Sequence, residues 1–154
     1  MVNLTKWKAS FLSRFLIQDV LKFMDEFSNP TPIATVEQFK SALLSVRDKI
    51  GISPKDLTLL RAHCRAPNHT ISTFQLAKEL GFSSHVSVNI PYGKLAHGVA
   101  DALHYIPPPV PSGVAHWWRT LAYSNEGTPQ TDDGHDEWIF RPELVQALQE
   151  MKWA

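Results

Sequence analysis

Four of the chain's eleven prolines fall within YIPPPVPSG, residues 105–113, and neither a helix interior nor a central strand can run through such a stretch. Each proline fixes φ and removes a backbone donor, so the segment reads as an extended arm. The chain must therefore be built from two unequal parts on either side of it. Before the arm, apolar residues recur at helical spacing. After it come the aromatic run VAHWWRTLAY, the polar loop SNEGTPQTDDGHD and EWIFR, two strands of a hairpin around a long loop. In this reading Trp117 and Trp118, adjacent on a strand, point to opposite faces.

The longer part divides into helices by local punctuation. Residues 5–27 place Trp7, Phe11, Phe15, Val20, Phe23 and Phe27 on one aromatic stripe, suited to packing on the rest of the domain or on a second copy. SNPTPIAT is the linker that follows. A second helix, Val36 to Ile50, buries Phe39, Leu43, Val46 and Ile50 and stops at Gly51. In SPKDLTLLRAHCRAP, Ser53 is an N-cap, Pro54 suits the first helical position and Asp56 suits the positive end of the dipole. A β-prone piece, Thr70 to Ser72, leads to a helix capped by Ser72 or Thr73, with Phe74, Leu76, Ala77 and Leu80 inward and Gly81 at its end. The turn GFSSHVSV then delivers NIPYGKLAHGVADAL, residues 89–103, a helix with Pro91 in its first turn. A last helix runs from Pro142 to about Met151, with Leu144, Ala147, Leu148 and Met151 inward.

The expected organisation is a single domain: residues 1–35 a helix and linker, 36–104 a helical core, 105–154 a hairpin and terminal helix. With 154 residues and 44% hydrophobic content, one domain can build a core. The expected fold class is α+β and mostly helical. Helix, short strand, helix, turn, helix and hairpin is the order of a winged helix-turn-helix core, here with extra N-terminal helices and a C-terminal helix.

The run LLRAHCRAPNHTISTFQLAKELGF, with VNIPYGKLA and the closing EWIFRPELVQALQEMKW, resembles a winged-helix-like module found beside HNH nuclease domains in bacterial restriction-type endonucleases. The matching positions are Leu60, Arg61, Ala62, His63, Ala66, Pro67, Thr70, Leu76, Ala77, Gly81, Asn89, Tyr92, Gly93 and Leu95, then Trp138, Arg141, Pro142, Glu143, Ala147, Leu148 and Trp153. They lie within residues 59–103 and 137–153. The chain departs from the pattern at Cys64, where the family often has an aromatic, and at Ile90-Pro91 before the tyrosine. The resemblance implies a DNA-binding half without the nuclease, because no segment supplies the histidine base, asparagine and metal ligands of an HNH site.

Charge narrows the partners. The formal net charge is zero, unlike a histone-like binder of nucleic acid. Residues 1–104, however, carry 12 Lys and Arg against 8 Asp and Glu, while residues 105–154 carry 3 against 7. A polyanion should meet the first two-thirds. The single cysteine excludes an intramolecular disulfide. No run reaches membrane-span length and the N-terminus lacks signal-peptide grammar, so no membrane contact and a cytoplasmic location are expected.

In a helix-turn-helix the second helix enters the major groove, and its N-terminal residues reach base edges. The candidate DNA-binding residues there are Ser87, Asn89, Tyr92, Lys94 and His97, with Ser72, Thr73 and Lys78 of the preceding helix reaching phosphates. Asn89 suits adenine, and Lys94 suits guanine or a phosphate; Gly93 permits close approach of a backbone. Bland roles stay open for each: a cap for Asn89, core packing for Tyr92, solvated charge for the lysines. The seven histidines form no HExxH or triad spacing, and TDDGHDE reads as a solvated turn rather than a metal loop. No catalytic residue, metal or cofactor is expected. Two functions fit: a DNA-binding winged-helix protein or specificity module binding double-stranded DNA, non-catalytic by itself, or an interaction or inhibitor protein on the same scaffold. The acidic loop and the aromatic first helix, a candidate homodimer contact, favour the second.

Overall fold

The computed structural model describes residues 17, 31–108, 116–124 and 137–154. The N-terminal aromatic helix, part of the proline arm and the acidic loop therefore lie outside the described residues. The chain divides into two compact units, Met1–Pro32 and Ile33–Ala154, and all elements below belong to the second. It is α+β and mostly helical. Helix α1 spans Val36–Lys49 and α2 Pro54–Arg65; a 3₁₀ turn at Pro67–His69 leads into β1, Thr70–Ser72. Helices α3, Thr73–Leu80, and α4, Val86–Leu103, follow. A second 3₁₀ turn, Trp117–Thr120, precedes β2, Ala122–Ser124; β3, Glu137–Phe140, and α5, Pro142–Glu150, close the fold.

Local chemistry sets the helix starts. Thr35, Ser53 and Ser72 each accept from the backbone N–H three residues on, and Gln38, Asp56 and Gln75 return the bond. These reciprocal caps satisfy two donors that a helix start leaves orphaned. Gly51 and Gly81 follow α1 and α3 at positive φ, 97° and 73°, where a side chain would be strained.

The three strands form an antiparallel sheet in the order β1-β3-β2. Thr70 pairs with Ile139 and Ile71 with Trp138 on one side of β3; Ala122 pairs with Phe140 and Tyr123 with Ile139 on the other. The expected long first strand of the hairpin is reduced to three residues. Trp117 and Trp118 are not on a strand: both lie in the 3₁₀ turn. Each ring has a stacking partner elsewhere, His97 of α4 for Trp117 at 3.9 Å and Trp138 of β3 for Trp118 at 4.8 Å. Those contacts override the alternation that the sequence suggests.

The core lies between the sheet and the helices, filled by Phe39, Leu43, Leu59, Leu60, Leu76, Val88, Tyr92, Phe140, Leu144 and Leu148. Ile50 and Phe74, expected inward, are exposed, and Ala42 takes the inward position on α1. Gly98 of α4 faces α1 closely; a Cβ there would lie 3.2 Å from Ile50 Cδ1 and 3.4 Å from Val46 Cγ2. Arg141, buried just before α5, donates from Nε and Nη2 to the Arg119 carbonyl at 3.1 and 2.8 Å, and its backbone N–H donates to Leu121. At the other end of α5, the Trp153 carbonyl accepts from Arg61 Nε of α2 at 2.7 Å. Among the described residues, no helix is long and apolar enough to cross a membrane.

One histidine is part of the core. His63 of α2 is fully buried, its ring stacked on Phe140 at 3.6 Å. Nε2 lies 2.8 Å from the Trp138 carbonyl, an obligate acceptor, so Nε2 carries the hydrogen. Nδ1 is then the acceptor for the Tyr92 hydroxyl at 3.2 Å. Burial lowers the His63 pKa from 6.5 to about 4, because the charged ring would lose its hydration. The unfolded chain thus binds the proton more readily between those values, and stability falls as pH drops from 6.5 towards 4. Linkage over that window is worth up to about 3 kcal/mol. Urea unfolding at pH 7, 6, 5 and 4 should show this loss in the wild type. His63→Gln keeps a donor and an acceptor but does not titrate, so its pH dependence should be flatter.

Candidate nucleic-acid interface

Helices α3 and α4 and the turn between them present the surface on which the candidate residues fall. The Gly81 N–H caps the Ala77 and Lys78 carbonyls, and Phe82 N–H returns to Ala77 at 2.9 Å, which ends α3 sharply. Lys55 Nζ of α2 sits 4.3 Å above the Phe82 ring, so a cation is held beside the turn.

Helix α4 begins at Val86, three residues earlier than the sequence suggests. Ser84 caps it: its hydroxyl accepts from Val86 N–H and its carbonyl from Ser87 N–H, both at 3.2 Å. The earlier start also buries Val88, which continues the inward stripe of Tyr92, Leu95 and Val99. Pro91 is therefore the sixth residue of α4 rather than part of its first turn, and offers no N–H to the Ser87 carbonyl four residues back. Asn89 does not cap the helix. It is the fourth residue, exposed, and among the described residues its amide has no partner.

The candidate residues then separate. Asn89 and Lys94 are exposed on α4, and Ser87 is half-buried near its start. Lys94 lines an open cleft of about 530 Å³ with Ile50, Ile52, Asp56, Ile90 and Pro91. Asp56 already accepts from Ser53 N–H there, in the cap of α2. His97 is exposed but engaged: its ring lies flat on Trp117, and Nε2 is 3.5 Å from Asp101 Oδ1. Thr73 opens α3, half-buried, and Lys78 is exposed with its ammonium 5.6 Å from the Phe74 ring centre.

Two candidates are not on the surface. Ser72 is buried, and its hydroxyl accepts from Gln75 N–H, so it caps α3 instead of reaching a phosphate. Tyr92 is fully buried; its hydroxyl serves His63 and its ring meets Trp138 edge-on at 4.7 Å. Its pKa is raised well above the ordinary value by burial, which keeps the phenol neutral and able to donate. The capping role of Ser72 and the core role of Tyr92, both open in the sequence, are the ones they take here, set by the capping box and by helical phase.

The outward face of α4 also carries residues that a search for polar groups passes over. Val86, Ile90, Gly93, His97 and Asp101 recur every three or four residues on one stripe. Ile90 is the most exposed of its large apolar residues. The available signal was phase: Ile90 falls out of step with Val88, Tyr92 and Leu95. Gly93 meets nothing within 4 Å where a Cβ would sit, so no packing within the fold requires it. Among the described residues, no three His, Cys, Asp or Glu side chains gather as metal ligands.

Comparison with protein-family models, with curated proteins and with solved structures returns no match to this chain.

Because Gly93 is helical and unopposed, Gly93→Ala should raise stability by about 1 kcal/mol. Tyr92→Phe, which strands the His63 Nδ1 acceptor, should lower it by about 1–3 kcal/mol. Thermal and urea unfolding measure both.

Proposed function

We propose that this chain is a DNA-binding winged-helix module, non-catalytic by itself, that contacts double-stranded DNA through α4. The observation that carries the reading is topological. Helices α2, α3 and α4 with a strand between the first two, followed by β2 and β3 with β3 central in the order β1-β3-β2, support this reading by their order. One side of the N-terminal half of α4 is exposed, with Asn89 and Lys94 free among the described residues to meet a groove. Lys55 and Lys78 supply cations near the same helix pair. The acidic residues Glu126, Asp132, Asp133 and Asp136, which lie outside the described residues, count against residues 125–136 meeting phosphates. A role in a restriction-type system rests on the resemblance of the α2–α4 and α5 sequences. Such a module works in the cytoplasm.

A second reading has its own support. Val86 and Ile90 are apolar and Asp101 is acidic on the outward stripe, a mixture that a protein partner can also match. On that reading the chain is an interaction or inhibitor protein, with the aromatic residues 5–27 available for a partner or second copy.

Titration of the whole chain with a labelled random-sequence duplex, at low and at physiological salt, separates the two. Lys94→Ala should reduce the slope of log K against log salt by about 1. Asn89→Ala should cost about 1–3 kcal/mol at a selected site and little on random sequence, with melting temperatures unchanged. No binding even at low salt defeats the DNA reading; a partner that co-purifies after nuclease treatment favours the other.

A further inference from the structure

The centre of the α4 outward stripe is apolar. Ile90 is 76% exposed and Val86, one turn before it, 57%. A scattered exposed apolar side chain is ordinary, but this one follows Asn89 in sequence and precedes Lys94 by one turn, and both polar side chains are exposed and without partners among the described residues. We propose that Ile90 packs against the C5-methyl group of a pyrimidine in the major groove, so that the chain discriminates thymine or 5-methylcytosine from the base lacking that methyl. The inference rests on the DNA-binding reading above and assigns that surface its ligand group.

Three features of the stripe select this occupant. The C5-methyl is the apolar group that base pairs display in the major groove, and an A·T pair presents it beside the adenine N6 and N7 that an asparagine amide pairs with. Asn89 and Ile90 are consecutive and both exposed, so an amide and an apolar group stand about 100° apart on the side of α4 away from its buried stripe. Gly93, three residues on along the same stripe, has open space where its Cβ would be, which lets the α4 backbone approach base edges closely. Lys94, one turn after Ile90, is exposed and supplies a cation for a flanking phosphate. An apolar peptide in the same place would leave Asn89 and Lys94 to be matched separately.

The test uses the whole chain. Selection from a randomised duplex pool yields a bound sequence. In that duplex each thymine is replaced in turn by deoxyuridine, which deletes only the methyl, and each cytosine by 5-methylcytosine. At one position the methyl should strengthen binding by about fourfold, the ratio equivalent to burying one methyl group at about 0.8 kcal/mol. Sensitivity to uracil identifies thymine as its source, and sensitivity to 5-methylcytosine identifies the modified base. Ile90→Ala should bind the methylated and unmethylated duplexes equally there, and its melting temperature should confirm an intact fold. Binding that ignores the methyl at every position, or discrimination that survives Ile90→Ala, overturns the inference while leaving the DNA reading standing. Failure to retain any duplex at low salt overturns both.

Discussion

The buried imidazole of His63 is the joint on which the rest of the arrangement turns. One ring nitrogen donates to the Trp138 carbonyl of β3, the other accepts from Tyr92 of α4, and the ring face rests on Phe140. Three elements are thereby fixed by a single side chain of α2. A buried hydroxyl or carbonyl left without a partner costs about 1–3 kcal/mol, so each polar group here makes the others tolerable. The neutral tautomer that satisfies both is maintained by the same burial that lowers its pKa.

Helix α4 has two faces with different demands. Inward, Val88, Tyr92, Leu95, Ala96 and Val99 bury a continuous stripe, and Gly98 brings the helix close to α1. Off the buried stripe, Pro91, which lines the cleft with Ile50, and Gly93 lower helix propensity by about 3 and about 1 kcal/mol relative to alanine. Nothing in the packing explains Gly93. Burial of the inward stripe offsets the weak propensity, since most helical stability in a folded protein comes from tertiary packing. A sequence that departs from local helix preference on its exposed side, while its buried side is well made, is the pattern expected where a surface answers to something outside the fold.

Much of the fold was legible because its causes are local. Ser53 and Ser72 as caps and Gly51 and Gly81 as stops depend on bonds or conformations within a few residues, whereas Thr70–Ser72 carries a local β preference but becomes a strand only by pairing with β3. The start of α4 was less legible, because Asn89 and Pro91 imitate a helix beginning while the actual cap is Ser84. Of the candidate site, Asn89, Lys94 and Lys78 fall on the surface, whereas Ser72 and Tyr92 are inside. The polar search also missed Ile90, whose placement follows from the phase of α4 once its buried stripe is known. The indole pair at Trp117 and Trp118 misled for a similar reason: their stacking partners lie on α4 and β3, outside any local window.

By itself, the sequence determined most of the helix starts and stops before α4, the mostly helical α+β class, and the contrast between a basic longer part and an acidic shorter one, since capping, proline and charge act over a few residues. Only the tertiary structure decided that His63 belongs to the core, that Tyr92 faces it, and that Asn89 and Ile90 face out. His63 meets Tyr92 at a separation of 29 residues and Trp138 at 75. Partners at such separations have no local signature, because a buried polar group is specified by what surrounds it in space.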